Sequence, residues 1–269
     1  MHTRISAVLL ILTITGLVLF CGCTAPASPQ TPVSPTHDGK PMERSSSEPA
    51  AVPHTAAQKE TISEQLASVQ SKNPVYMEAY RMFRNIQSTE YVHPPYTVDD
   101  AAGIYKFDCL GFVDHVLMNA DMTSYKEIGK NVNPSIESYS AYFTKLDPTR
   151  PNALGWTKVP RPIDLRPGDV CLWLKSNTLD TGHMWIIAGE PKVDPDRTDE
   201  VLVRIFDSTG TVHRDDSRSG SQPGTGLGSG ILGFMVNGEG NPAGLYWEGG
   251  ESTGAGERDT TIICGRLTQ

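Results

Sequence analysis

Apolar residues recur at helical spacing from Pro74 to Phe143 and then in short strand-like runs from Gly168 to Arg266, and this change of period constrains the fold more than any other feature. The first part carries Val75, Tyr76, Ala79, Tyr80 and Phe83, then Val113, Val116, Leu117 and Ala120, and a looser helical segment from Pro134 to Phe143. The second carries runs within 168–174, 184–189, 201–206, 231–236 and 260–266. Helices followed by strands predict an α+β domain, an antiparallel sheet with one face covered by helices. Gln87 to Tyr105, with its aromatics and prolines, reads as a loop leading into a helix, and Pro148 to Pro162 as a loop carrying Trp156.

The chain before Pro74 is of another kind. Arg4 precedes an apolar run from Ile5 to Phe20 that is short for a spanning helix and has the form of a signal peptide. The run ends in Leu19-Phe20-Cys21-Gly22-Cys23, which resembles a bacterial lipoprotein signal. That resemblance implies removal of residues 1–22 and a lipid on Cys23; an uncleaved anchor is the alternative, and either way the chain leaves the cytoplasm. Residues 23–57 are dominated by Pro, Ser, Ala and Thr and cannot bury enough apolar surface to fold, so they read as a tether. Residues 58–73 read as a possible linker helix, and 74–269 as the single domain that 38% hydrophobic content can support. A net charge of -8, without Lys or Arg runs interleaved with aromatics, argues against a nucleic-acid partner and leaves membrane attachment to the lipid.

Of five cysteines, a chain beginning at Cys23 keeps Cys109, Cys171 and Cys264 as candidate thiols. Cys171 and Cys264 sit in strand-like runs and either pair in an oxidising compartment or stay separately buried. Cys109 follows Asp108, a helix-capping residue, and begins the apolar face of Val113, Val116 and Leu117. A thiol at a helix start sits among unpaired N–H groups at the positive end of the dipole, which favours the thiolate; a small buried hydrophobe is the plain alternative. Tyr105, one helical turn earlier, either lines the site or packs.

A cysteine nucleophile needs a base and a group to orient it. His2 lies in the signal, His37 and His54 in the tether, and His115 points about 120° away from Cys109 around the helix. His93, His183 and His213 remain. His183 follows Gly182 at the start of a strand, and a hairpin folded about Pro195 would set it opposite Asp207 on the same face. The close ligand pairs typical of zinc are absent from the sequence, so neither metal nor cofactor is expected. Ser219 to Gly230, rich in glycine, reads as a mobile loop beside the site or a plain linker, and His213 to Arg218 either positions substrate or offers a substitute base, or is an exposed charged loop.

Phe107-Asp108-Cys109-Leu110-Gly111-Phe112-Val113, Leu165-Arg166-Pro167-Gly168-Asp169-Val170 and Gly182-His183-Met184-Trp185-Ile186 together resemble the NlpC-type cell-wall cysteine peptidases, over Pro74 to Leu267. The resemblance implies a papain-like fold with Cys109 as nucleophile, His183 as base and Asp207 in the third polar position, where many members have His, Asn or Gln. Tyr105, Asp108, Leu110 and Trp185 are the expected substrate contacts, and Trp173, Trp185 and Trp247 either line a groove or pack. Leu110 stands where members active on cell-wall peptides commonly have Ser, so recognition should not depend strictly on a free L-Ala terminus. The expected function is a monomeric, lipid-anchored envelope hydrolase that cleaves amide bonds next to γ-D-glutamate in peptidoglycan stem peptides. A non-catalytic envelope lipoprotein that binds peptide or glycan is the alternative.

Overall fold

The computed structural model describes residues 56–130, 133–175, 182–220, 224–247 and 260–268; the expected signal peptide, Cys23 and nearly all of the tether lie outside them. The helical half contains α1 (Ala56–Ala67), α2 (Pro74–Asn85), three short strands β1 (Ser88–Glu90), β2 (Thr97–Asp99) and β3 (Ile104–Lys106), then α3 (Cys109–Ala120), α4 (Met122–Gly129) and α5 (Ile136–Thr144). The strand half contains β4 (Trp156–Val159), β5 (Val170–Lys175), β6 (His183–Ile187), β7 (Lys192–Asp194), β8 (Arg197–Thr209), β9 (Gly226–Val236), β10 (Pro242–Tyr246) and β11 (Thr260–Leu267). The chain is therefore α+β. Its main sheet is antiparallel in the order β10-β9-β8-β6-β5-β11-β4, with β7 paired to β8, and a small sheet runs β1-β3-β2.

Local chemistry sets the helix ends. Asn73 accepts from the N–H groups of Val75 and Tyr76, and Pro74 occupies the first turn of α2, whose inner face buries Val75, Ala79, Met82 and Phe83. Asp121 stops α3 and caps α4 by accepting from Thr123 and Ser124. The short, mostly polar α4 escaped the periodicity because its buried face holds little beyond Tyr125 and Ile128. Residues 58–73 are not a free linker: Ile62 and Leu66 of α1 are buried, and the Tyr76 hydroxyl donates to the Leu66 carbonyl at 2.8 Å.

The sheet buries both faces. On one, Leu172, Met184, Ile186 and Phe206 meet Phe112, Val113, Val116 and Leu117 of α3. On the other, Trp173, Trp185, Ile187, Val203, Ile205 and Phe234 form a second core. Alternation along β6 places His183 on this second face, with Trp185 and Ile187. The segment read as a loop from Pro148 to Pro162 contains β4, which pairs Trp156 through Val159 with β11, and a 3₁₀ turn begins at Pro162. Cys171 and Cys264 are directly opposed on β5 and β11 and joined by a disulfide, which settles the alternative left open above. No helix among the described residues is long and apolar enough to cross a membrane.

Candidate active site

Asp108 has extended backbone (φ -84°, ψ -174°) and accepts from the Gly111 N–H at 2.9 Å, so α3 starts at Cys109 and the residues from Ile104 to Asp108 are not helical. This overturns the expectation of a helical turn joining Tyr105 to Cys109. Tyr105 lies in β3, fully buried, with its hydroxyl donating to Asp100 at 3.0 Å; it packs. Three bonds fix the entry to α3. Ser208 Oγ donates to the Phe107 carbonyl at 2.7 Å, Tyr96 OH donates to Asp108 Oδ1 at 2.7 Å, and His93 Nδ1 stands 3.1 Å from Asp108 Oδ2. Both oxygens of Asp108 are thus engaged, which makes it an anchor for the helix start rather than the free substrate contact expected. Cys109 is buried and unbridged, and the N–H groups of Cys109 and Leu110 have no intrahelical acceptor.

Gly182 leads into β6 at φ +132°, where a Cβ would run into the carbonyl of Trp173; only glycine delivers the chain to His183 this way. The His183 ring bonds Asp207, Nε2 to Oδ2 at 2.8 Å, and stands near enough to Cys109 for the sulfur to act on its charge. With Nε2 taken by Asp207, Nδ1 is the edge left for the sulfur. Burial opposes charge on the ring, but the negative Cys109 sulfur, followed by the bond to Asp207, outweighs it and pushes the imidazole up to about 10.

The pairing differs from the hairpin expected. Ile186 pairs with Phe206 and Ile187 with Ile205, so continuing the register sets Trp185, not His183, opposite Asp207. The cause lies at the hairpin tip, where Val193 pairs with Val201 but Asp194 with Arg197, so that residues 198–200 are extra on β8; the two extra residues within 188–191, opposite Val203 and Arg204, take back only part of that shift. Because the offset is two residues, the side-chain period keeps His183 and Asp207 on one face, and they bond diagonally. Trp185 is fully buried and stacks on the His183 ring at 6.0 Å, so it supports the base instead of lining an open groove. Trp247 meets the same ring edge-on at 5.0 Å.

Two residues that the sequence left between a site role and an exposed loop are at the centre. His213 and Arg218 are both 4% exposed. His213 Nε2 lies 2.9 Å from Asp207 Oδ2, while its Nδ1 bonds the Trp247 carbonyl at 2.8 Å. Arg218 donates to Asp207 Oδ1 at 2.9 Å and to Asp216 at 2.6 and 2.8 Å. Burial is the largest influence on Asp207 and would raise it, but the charges of Arg218 and His213, with hydrogen bonds from His183 and His213, hold its carboxyl well below the usual range.

The glycine-rich segment is what makes room. From Gly226 onward it is β9, not a mobile loop; residues 221–223 lie outside the described residues. Gly228 pairs directly with Asp207 and Gly230 with Ile205, on the face where the 213–218 segment lies. A Cβ on Gly228 would come within 2.6 Å of Arg218, and one on Gly230 within 2.6 Å of His213. The signal was in the sequence, since Gly226-Leu227-Gly228-Ser229-Gly230 has the period of a strand with one bare face.

Ligand atoms of His183, Asp207 and His213 lie within 4.8 Å of one another, which suits a metal by distance. The charge does not suit one. Arg218 already places a buried cation on the same carboxylate, and the Asp207 oxygen facing both rings is engaged by their Nε2 atoms. The constellation is arranged for holding and moving a proton. No protein-family model, curated protein or solved structure matches the chain.

Proposed function

We propose that the chain is an NlpC-type cysteine hydrolase with a papain-like domain, which cleaves amide bonds in peptidoglycan stem peptides while tethered by a lipid on Cys23 to the outward side of a bacterial membrane. One observation carries this reading: the unbridged Cys109 at the start of α3 lies beside His183, whose Nε2 is held by Asp207 at 2.8 Å. A nucleophile, a base and an orienting carboxylate in this order are what acyl transfer requires.

In the resting site the proton resides on His183, beside the Cys109 sulfur. The thiolate attacks the amide carbonyl, and charge moves to the carbonyl oxygen, where the unpaired N–H groups of Cys109 and Leu110 are available to it. Collapse breaks the C–N bond as His183 gives its proton to the departing nitrogen, leaving a thioester on Cys109. Water then attacks the thioester and yields its proton to His183, the C–S bond breaks, and a carboxylate product leaves. Asp207 keeps the ring oriented and stabilises its cationic form throughout.

Digestion of purified peptidoglycan and of free stem peptides, with products identified by mass spectrometry, tests the reading. The expected result is cleavage beside γ-D-glutamate that vanishes in Cys109→Ala and falls about 10²–10⁴-fold in His183→Ala. Undiminished turnover by Cys109→Ala would end the mechanism. Strong cleavage of free peptides with intact wall untouched would refute the inference drawn from Leu110.

A further inference from the structure

A cleft of about 340 Å³ runs along α3, lined from Leu110, the residue after Cys109, to Met118; Cys109 itself is not in its lining. Leu110, Asp114 and Met118 stand at four-residue intervals on that helix and share the face that lines it, opposite Tyr96, Val98 and Pro134. Gly111 lets the opposite wall close: a Cβ there would come within 2.6 Å of the Tyr96 ring. The walls are apolar, and a carboxyl group lies between them. Asp114 is 8% exposed; one of its oxygens accepts from the Tyr139 hydroxyl at 2.6 Å, and the Tyr125 hydroxyl is also near its carboxyl. His115, which also lines the cleft, is turned to Asp100, 3.0 Å from Nε2. Among the described residues, neither Lys nor Arg lines this cleft, and Asp108 adds a second negative charge nearby.

We propose that this cleft is a substrate subsite for a short aliphatic chain ending in a primary ammonium, with Asp114 as the acceptor and Leu110, Tyr96 and Met118 as the walls of its stem. As a subsite, the assignment rests on the reading of Cys109 as nucleophile. An aliphatic stem matches the walls, and a cation supplies the counter-charge that the described lining lacks. Burial raises the Asp114 carboxyl to about 7, and a bound ammonium would restore the ionised form that burial disfavours. Leu110 then has a role of its own, since a hydroxyl at that position would place a polar group in the wall.

The test is titration calorimetry of the full-length Cys109→Ala protein with acetyl-lysine methylamide and with acetyl-norleucine methylamide, which differ at the end of the side chain. The lysine compound should bind at least about tenfold more tightly, a modest value for a charge-assisted bond. Asp114→Asn keeps an acceptor for Tyr139 and should bring the two affinities within about twofold, and Met118→Lys, which fills the cleft with a fixed cation, should do the same. Equal binding of the two compounds overturns the proposal, as does a preference that survives either substitution; Met118→Lys decides alone if Asp114→Asn does not fold. The binding readout is independent of hydrolysis. A lysine preference without peptidoglycan cleavage would sink the hydrolase reading and leave the cation site standing, whereas cleavage without the preference would do the reverse.

Discussion

Asp207 is ionised at the buried centre of the second core, and three side chains converge on its two oxygens. His213 sits between the Asp207 carboxylate and the Trp247 carbonyl, with one ring nitrogen against each. The cluster is therefore a set of buried groups that satisfy one another, with Arg218 paired to Asp207 and Asp216 and both histidines bonded to Asp207. Removing one member leaves the others uncompensated. Asp207→Ala should cost about 3–5 kcal/mol in urea unfolding, and a loss below about 1 kcal/mol would contradict the arrangement. The pH dependence follows from His183. Its proton is favoured up to about 10, so kcat/KM should persist through neutral pH and fall as the pH rises through that value. The stability contributed by this ring has the same sign: it is complete below about pH 6.5, the value of the unfolded chain, and lost as pH rises through about 10. An alkaline limb near pH 7 would show that the ring is not held by Cys109 and Asp207.

At the scale of elements, β9 decides whether the cluster can exist. Its bare positions at Gly228 and Gly230 admit Arg218 and His213 against β8, where side chains would exclude them. Gly228→Ala should lower stability by about 1–3 kcal/mol and reduce activity with it, because Arg218 is tied by several bonds and cannot swing aside freely. Gly238→Ala, where nothing lies within 4 Å of the new methyl, is the control and should change neither. The helix of Cys109 and the strand of His183 were legible because capping and period are local properties. The register was not, since the extra residues at 198–200 and within 188–191 have no periodic mark, although a net offset of two spared the His–Asp pairing. His213 and Arg218 were left between a site role and an exposed loop because a charged run is usually solvated; the deciding signal, glycine at alternate positions, lay a few residues further on.

At the scale of the molecule, the two faces of one sheet divide the labour. The first face holds α3 and so sets Cys109; the second holds the histidines and Asp207. The Cys171–Cys264 bridge ties β5, next to the His183 strand, to β11, across 93 residues of chain. Replacing both cysteines with Ala should cost about 2–4 kcal/mol while leaving the geometry around His183 and its pH profile unchanged. A changed profile would mean that the bridge acts on the site itself. The central claim is that Cys109 is an activated nucleophile held against His183, and its rate of alkylation tests this most directly. An ordinary thiol is less than about 1% thiolate at pH 6. Peptide-resolved mass spectrometry after timed exposure to iodoacetamide at that pH should find Cys109 modified faster than a reference thiol, with the advantage abolished by His183→Ala. Labelling no faster than the reference, or unaffected by the loss of His183, would contradict it.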